Sequence, residues 1–202
     1  MNDMIRMDNE YIEWLKIIKK RFKSTQIKAA IKVNEELLRF YWSMGKDIVE
    51  KQAESKWGTA FFETLSEDLR KMFPGTKGFS TTNLRYMKRY YNMFGEILPQ
   101  DEAELSSNSN LPQVGAEIYT IPWGHIKVIV DKCKDNPKKA LFFVDEVIKN
   151  NWSRTVLINF LDTNLYERQG KAISNFEQTL PKYTGDLAQE IIKDPYNFDL
   201  NP

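Results

Sequence analysis

Apolar side chains recur at helical spacing along almost the whole chain. The most regular series advances in alternating steps of four and three residues: Ile27, Ile31, Asn34, Leu38, Tyr41, Gly45, Ile48 and Gln52. Such steps keep side chains on one face of a helix. The spacing predicts a long helix that Ser24 caps, after a separate first helix over 9–22. Extra apolar residues beside this seam favour packing within the chain, and a homodimer through the 27–52 helix is the alternative.

A helix, a tight turn and a second helix are predicted after the seam. Thr59 is placed to cap the first of these helices, and Pro74-Gly75 ends it because both residues break helices. Ser80 or Thr81 can cap the second helix, whose apolar residues share one side and whose outer side is basic. This pattern is typical of a helix-turn-helix unit.

Nine residues from Phe79 align without a gap on the nine that begin at Trp152. Each segment starts with an aromatic residue and a serine, and has Leu four positions and an apolar residue seven positions after the serine. An aromatic residue before a serine cap can pack on the first helical turn, while the hydroxyl oxygen accepts a backbone N–H. We therefore expect a second helix-turn-helix unit, less basic than the first.

These patterns predict a mainly α fold, a multi-helix domain with one or two helix-turn-helix (winged-helix-like) units and little or no β structure. We expect a basic helical part over 1–98 and a second helical part over 118–202. Residues 99–117 between them lack a hydrophobic period and hold two prolines and many small polar residues. That composition is typical of a linker or a mobile loop.

The near-neutral total charge hides an asymmetry between these parts. The 202 residues include 29 Lys and Arg and 28 Asp and Glu, but 18 of the cations and 13 of the acids lie in 1–98. Two stretches of this part contain no acid, one between Glu13 and Glu35 and one between Asp68 and Glu96. Such stretches can attract phosphates, although most basic runs are solvated helix faces.

A single cysteine and a single histidine limit the chemistry of the chain. Cys133 alone cannot close an internal disulfide, and no segment is apolar enough to span a membrane, so we expect a cytoplasmic protein without a cofactor. A lone His125 near a helix start is more often a hydrogen-bonded packing residue than a general base. Glu54-Ser55-Lys56 matches a short nuclease pattern but follows no predicted strand, so we interpret it as a chance match and expect no catalysis from this chain.

The start of the basic helix carries the side chains that reading double-stranded DNA requires. A helix-turn-helix places this end in the major groove, where Asn and Arg can make paired hydrogen bonds to bases and Lys contacts phosphates. The predicted contact residues are Lys77, Ser80, Thr81, Thr82, Asn83, Arg85, Lys88 and Arg89. A second face for DNA or a partner protein is predicted at Arg154, Thr155 and Asn159. The alternative for the first set is a solvated face in which Asn83 supports the cap.

Several motifs resemble those of a known family. They are Gly78-Phe79-Ser80, Ile121-Pro122-Trp123-Gly124-His125, Asn151-Trp152-Ser153-Arg154, Leu165-Tyr166-Glu167-Arg168-Gln169-Gly170-Lys171-Ala172 and Asp194-Pro195-Tyr196. Together, over about residues 10–200, they resemble the N-terminal domain of the YhcG-type family of bacterial candidate PDDEXK nucleases. The family's Trp-Ser-His pattern departs here to Trp123-Gly124-His125, which loses a hydroxyl.

The resemblance implies a helical domain that binds DNA and is followed by a nuclease domain. The chain ends where that second domain would begin, so we expect an N-terminal module whose partner is the C-terminal nuclease domain of a full-length protein. A helical module for oligomerisation or protein interaction is the alternative function.

Overall fold

Helices dominate the part of the chain that the computed structural model describes, residues 9–97 and 118–168. The elements are α1 (Asn9–Glu50), α2 (Ala53–Trp57), α3 (Phe61–Met72), α4 (Thr81–Phe94), a 3-10 turn (Ile118–Thr120), α5 (Trp123–Cys133), α6 (Pro137–Asn150), α7 (Arg154–Asp162) and α8 (Leu165–Arg168). These ranges contain no strand, so the prediction of a mainly α fold is confirmed. No helix within them is both long and apolar enough to cross a membrane.

The order of the helices does not test the other predictions about how the chain is organised. The two helix-turn-helix units and the division into two helical parts stay predictions. The 99–117 linker and the motifs that follow residue 168 lie outside the described residues.

The two N-terminal helices expected from the sequence are one continuous helix. α1 runs for 42 residues, about 63 Å at 1.5 Å per residue, and Ser24 lies in its interior. No Pro or Gly precedes Gly45 in this helix, and the Thr25 hydroxyl donates to the carbonyl oxygen of Arg21 at 3.0 Å. The hydroxyl of Thr25, next to Ser24, is thus hydrogen-bonded without breaking the helix. The prediction of a helix boundary at Ser24 is wrong.

The two halves of α1 have different surroundings. Its C-terminal half packs into the protein and buries Asn34, Leu37, Leu38, Tyr41, Trp42, Gly45 and Ile48. Residues 9–29, called the arm below, are exposed along almost their whole length. The chain's own α4 and 3-10 turn pack on α1, and most of the seam is buried in this packing. The interpretation of the seam as packing within the chain therefore holds for its buried part, and a homodimer through the 27–52 helix stays a prediction.

One hydrophobic core joins residues from both described ranges. The ring of Tyr90 on α4 lies edge-on to Trp42 of α1 at 5.5 Å and to Trp123 of α5 at 5.6 Å. Tyr41 approaches Trp123 at 4.8 Å. These aromatic contacts fix the start of α5 beside the C-terminal half of α1.

Polar side chains cap the helices largely as the sequence predicts. The side chains of Ser80, Asn136 and Ser153 accept hydrogen bonds from backbone N–H groups three residues later, at 3.2, 2.9 and 3.5 Å. They open α4, α6 and α7. The prediction that Thr59 caps α3 is wrong, because Ala60 holds that position without a side-chain hydrogen bond.

Candidate nucleic-acid interface

The start of α4, predicted as the main DNA contact, is held from within the protein. Asn83 Nδ2 donates to the carbonyl oxygen of Gly78 at 2.7 Å, and Asn83 Oδ1 accepts from the indole N–H of Trp123 at 2.7 Å. Asn83 is only 2% exposed. Its burial corrects the prediction that this side chain faces DNA, because both of its polar atoms brace the turn before α4.

The same turn is also fixed by α1 and α3. The buried Ser66 hydroxyl donates to the carbonyl oxygen of Phe79 at 2.7 Å. Gly78 has a φ of +116°, and a methyl group in place of its hydrogen would lie 2.6 Å from the hydroxyl oxygen of Tyr41. Both the backbone conformation and the close approach of α1 therefore require glycine here.

The start of α5 lies beside the start of α4. Asn34 of α1 is fully buried, and its Nδ2 donates to the carbonyl oxygens of Tyr119 and Ile121 at 3.3 and 3.0 Å. These residues lead directly into α5, whose first residue, Trp123, is bonded to Asn83. Hence α1 and α4 together hold the first turn of α5.

His125 connects the start of α5 to the start of α7. It is fully buried, and its Nε2 donates to the carbonyl oxygen of Trp152 at 3.0 Å, in agreement with its prediction as a packing residue. Arg154 of α7 lies close to α5, since a methyl group built on Gly124 would be 3.9 Å from its Cδ and Nη1. The two segments that align in sequence thus both contact the start of α5.

Every buried Asn, Ser and His side chain of the described residues serves this region. They are Asn34, Ser66, Asn83 and His125, and each bonds to backbone that leads into α4, α5 or α7. Burying polar groups is costly unless they are paired, and paired groups hold a fixed geometry. We call the surface formed by the first turns of α4, α5 and α7 the convergent end. It brings together the positive ends of three helix dipoles. The first turn of α5 is buried except at Gly124, so the exposed first-turn positions belong to α4 and α7.

The other predicted contact residues near the convergent end are accessible to different extents. Lys77 and Thr82 are exposed, and Ser80 and Thr81 are half-buried. The residues of the second predicted face are all exposed: Arg154, Thr155 and Asn159. This surface therefore offers hydroxyl groups and two cations beside the helix starts.

Further along α4, the predicted cations are paired with acids from other helices. The second acid-free stretch contains no acidic residue of its own, but carboxylates from α2, α3 and α5 lie beside it in the folded protein. The outer face of α4 is therefore partly neutralised and is less basic than its composition predicts. The pairs are Arg85 with Glu63 at 2.9 Å, Arg89 with Asp131 at 2.6 Å, and Lys88 with Glu54.

Exposed cations without an ion pair among the described residues occur along the arm. They come from the first acid-free stretch, whose residues were not assigned to a site from the sequence. The arm carries six cations and two acids, and of its cations only Lys16 is paired, with Glu13 at 2.7 Å. The others are Lys19, Lys20, Arg21, Lys23 and Lys28.

The short nuclease-like pattern lies in a helix. Glu54-Ser55-Lys56 belongs to α2, and Glu54 pairs with Lys88 of α4. This placement agrees with its interpretation as a chance match. Within residues 9–97 and 118–168, no three His, Cys, Asp or Glu side chains are grouped as a metal site requires.

Comparison with known proteins gives matches over most of the chain. The family described as the DUF1016 N-terminal domain matches residues 17–168. The chain is 26% identical over 187 residues to "Putative nuclease YhcG" of Escherichia coli (strain K12), an alignment that covers 81% of this chain and 48% of that protein. The chain thus spans about half the length of this curated relative. No solved structure matches it.

Proposed function

The chain belongs to the DUF1016 N-terminal domain family, and on this premise we propose that it is a helical module that binds double-stranded DNA. In a longer protein, this module would position a nuclease domain on its substrate. The relative at 26% identity bears the name of a nuclease and is about twice the length that the chain matches. The catalytic step is assigned to that other part.

The observation that carries the proposal is the convergent end. Three helix starts lie together, and the buried Asn, Ser and His side chains of the described residues all fix the backbone that leads into them. Helix N-termini bind phosphates through their free N–H groups and their positive dipole ends. Thr82 and Arg154 are exposed beside them, so a phosphate backbone can meet hydroxyl, guanidinium and amide donors on one preorganised surface.

The ion pairs on α4 are compatible with this function. Arg85, Arg89 and their acidic partners are each between 43% and 53% exposed, and ion pairs at such sites contribute only about 0–1 kcal/mol. A phosphate group can therefore replace the carboxylate at little cost. We assign these cations to phosphate contact and assign no base recognition to Asn83.

Replacing Thr82 with Glu tests the proposal without weakening the fold. An acidic residue in the first turn of a helix stabilises that helix through its dipole, but it repels phosphates at the convergent end. We expect Thr82→Glu to weaken binding of a labelled duplex about tenfold by fluorescence anisotropy, since opposed like charges cost about 1.4 kcal/mol or more.

Ser43→Glu is the matched control, because it adds the same charge to an exposed position in the C-terminal half of α1 that is not among the residues assigned to DNA contact. Its affinity should stay within about twofold of that of the unmodified chain. Absence of duplex binding by the unmodified chain at low salt, or equal losses in both variants, would contradict the proposal.

Self-association is a second candidate function, favoured by the apolar side of the arm. Tyr11, Leu15, Ile18 and Phe22 follow the spacing of four, three and four by which two helices pack, and Phe22 is 62% exposed. A second copy paired through this stripe would bring two positively charged arms together. Its association should therefore strengthen with salt, whereas DNA binding weakens with salt.

Light scattering with two charge substitutions tests this candidate. Phe22→Glu lies on the stripe and should abolish a dimer, whereas Ile17→Glu changes an exposed apolar residue on another side of the arm and should leave it. A monomer at high protein and salt concentration excludes self-association through the arm.

A further inference from the structure

The basic side of the arm is the direct continuation of the buried seam of α1. Eighteen residues are five full turns of an α-helix, so residues 18 apart lie on the same side. Lys16, Lys19, Lys20 and Lys23 stand 18 residues before Asn34, Leu37, Leu38 and Tyr41, in that order, and those four residues are buried against the body of the protein. The side of α1 that packs against the other helices therefore carries lysines where α1 extends beyond them. We call Lys16, Lys19, Lys20 and Lys23 the lysine stripe, and the packed helices the body of the protein.

The lysine stripe begins close to the convergent end. Asn34 is bonded to the residues that lead into α5, and Tyr41 contacts Trp123. Lys23 lies 11 residues before Asn34, about 16 Å along the axis, and Lys16 lies about 27 Å from it. Because the stripe is on the body side of α1, it faces the space next to the helix starts.

The charges of this stripe are available to a ligand. Lys19, Lys20 and Lys23 are exposed and form no ion pair among the described residues, and Lys16 has a single exposed pair with its own helix neighbour Glu13. In contrast, the three predicted cations of α4 are all paired. The arm therefore adds exposed positive charge that no ion pair with another helix neutralises among the described residues.

From this placement we propose that the arm is a second nucleic-acid contact, in which the lysine stripe binds the phosphate backbone of the duplex held at the convergent end. This inference rests on the proposed DNA-binding function and adds a surface to it. A row of lysines on one side of a straight helix matches a linear polyanion and positions it without reading sequence.

An anionic membrane is a poorer match for the arm. A helix that lies on a bilayer inserts a continuous apolar side and keeps its cations on the opposite, polar side. Here Lys20 and Lys23 lie about 180° and 120° around the helix from Tyr11 on the apolar stripe, at 100° per residue. The exposed apolar residues Ile12 and Ile17 lie about 100° and 240° from Tyr11, among the cations, so apolar and basic residues are not separated as an interfacial helix requires.

The test compares two double substitutions that remove equal charge from opposite sides of the same helix. Lys19→Ala with Lys23→Ala changes the lysine stripe, and Arg21→Ala with Lys28→Ala changes another side of the arm. Alanine favours helices, so both variants should keep the fold, which circular dichroism checks. The measurement is duplex affinity by fluorescence anisotropy between 50 and 200 mM salt.

We expect the Lys19 and Lys23 variant to lose about tenfold in affinity at low salt. The slope of log affinity against log salt should decrease in magnitude by about 2, since each phosphate contact contributes about 0.9. The Arg21 and Lys28 variant should keep the slope of the unmodified chain. Equal losses in the two variants, or an unchanged slope in the first, would overturn the proposal, as would saturable binding of phosphatidylserine vesicles that the Lys19 and Lys23 substitutions abolish while duplex affinity is kept.

These outcomes separate the arm from the proposed function itself. A chain that binds duplex with an effect of Thr82→Glu, but with no effect of the lysine substitutions, keeps the function and loses the arm contact. A chain that binds no duplex at all loses both.

Discussion

Asn83 shows how a polar residue at a helix start can be structural while having the chemistry of a DNA contact. Its side-chain amide joins Gly78, before α4, to Trp123, the first residue of α5. From the sequence, an Asn three positions after a Ser cap is as well suited to read a base as to brace a turn. Its partner lies 40 residues later, so local spacing could not decide between these roles.

Substitution of Asn83 by Ala should therefore reduce stability. It leaves the indole N–H of Trp123 and the carbonyl of Gly78 without their buried partner, and an unsatisfied buried group costs about 1–3 kcal/mol. Urea denaturation should show that loss for Asn83→Ala, whereas the exposed Asn92→Ala on the same helix should change stability by less than about 0.5 kcal/mol. If the Asn83→Ala chain is as stable as the unmodified chain but has lost duplex affinity, the result supports a DNA contact by Asn83 instead.

Cys133 is a second residue whose surroundings decide its chemistry. Burial raises the pKa of its thiol to about 12, so the thiol stays protonated as the pH rises through the neutral range and becomes a thiolate only near that value. Because the thiolate is the reactive form, iodoacetamide at pH 8 should label the folded chain more than about a hundredfold more slowly than the unfolded chain. Mass spectrometry measures the two rates. Equal rates would show that the thiol is accessible and ionises normally.

At the scale of elements, α1 combines what the sequence could and could not predict. The spacing of four and three correctly predicted the buried seam, because that period places Asn34, Leu38 and Tyr41 on one face. Ser24 was mistaken for a cap, since serine is tolerated inside a helix when nothing breaks the helix. The sequence also shows that lysines stand 18 residues before the buried seam residues, on the same side of the helix. Only the structure shows that α1 extends beyond the body of the protein at those lysines.

The contact between α1 and α4 depends on the lack of a side chain at Gly45. A methyl group there would overlap the carbonyl oxygen of Met87 and lie 2.9 Å from Tyr91 Cβ. We expect Gly45→Ala to destabilise the fold by about 1–3 kcal/mol through overpacking, although alanine has the higher helix propensity. Ser43→Ala, an exposed position on the same helix, is the control and should be neutral or slightly stabilising. Thermal or urea unfolding that ranks Gly45→Ala with this control would contradict such a close helix contact.

Charged residues are distributed differently over the folded protein and along the sequence. The stretch between Asp68 and Glu96 contains no acid, yet the three predicted cations of α4 meet Glu54, Glu63 and Asp131 from other helices. Those partners lie 22 to 42 residues away in the chain, so composition could not reveal them. The contact of both aligned segments with the start of α5 also depends on tertiary packing, through Asn83 and His125.

The most direct test of DNA binding at the convergent end is hydrogen–deuterium exchange by mass spectrometry, with and without a duplex in excess. First-turn N–H groups lack a carbonyl partner one turn earlier in their own helix, so a phosphate bound there adds a hydrogen bond that slows their exchange. We expect duplex to slow exchange in peptides covering the exposed first turns of α4 and α7, while peptides at the C-terminal end of α4 are unaffected. Protection confined to that C-terminal end, or no protection at saturating duplex, would contradict this expectation.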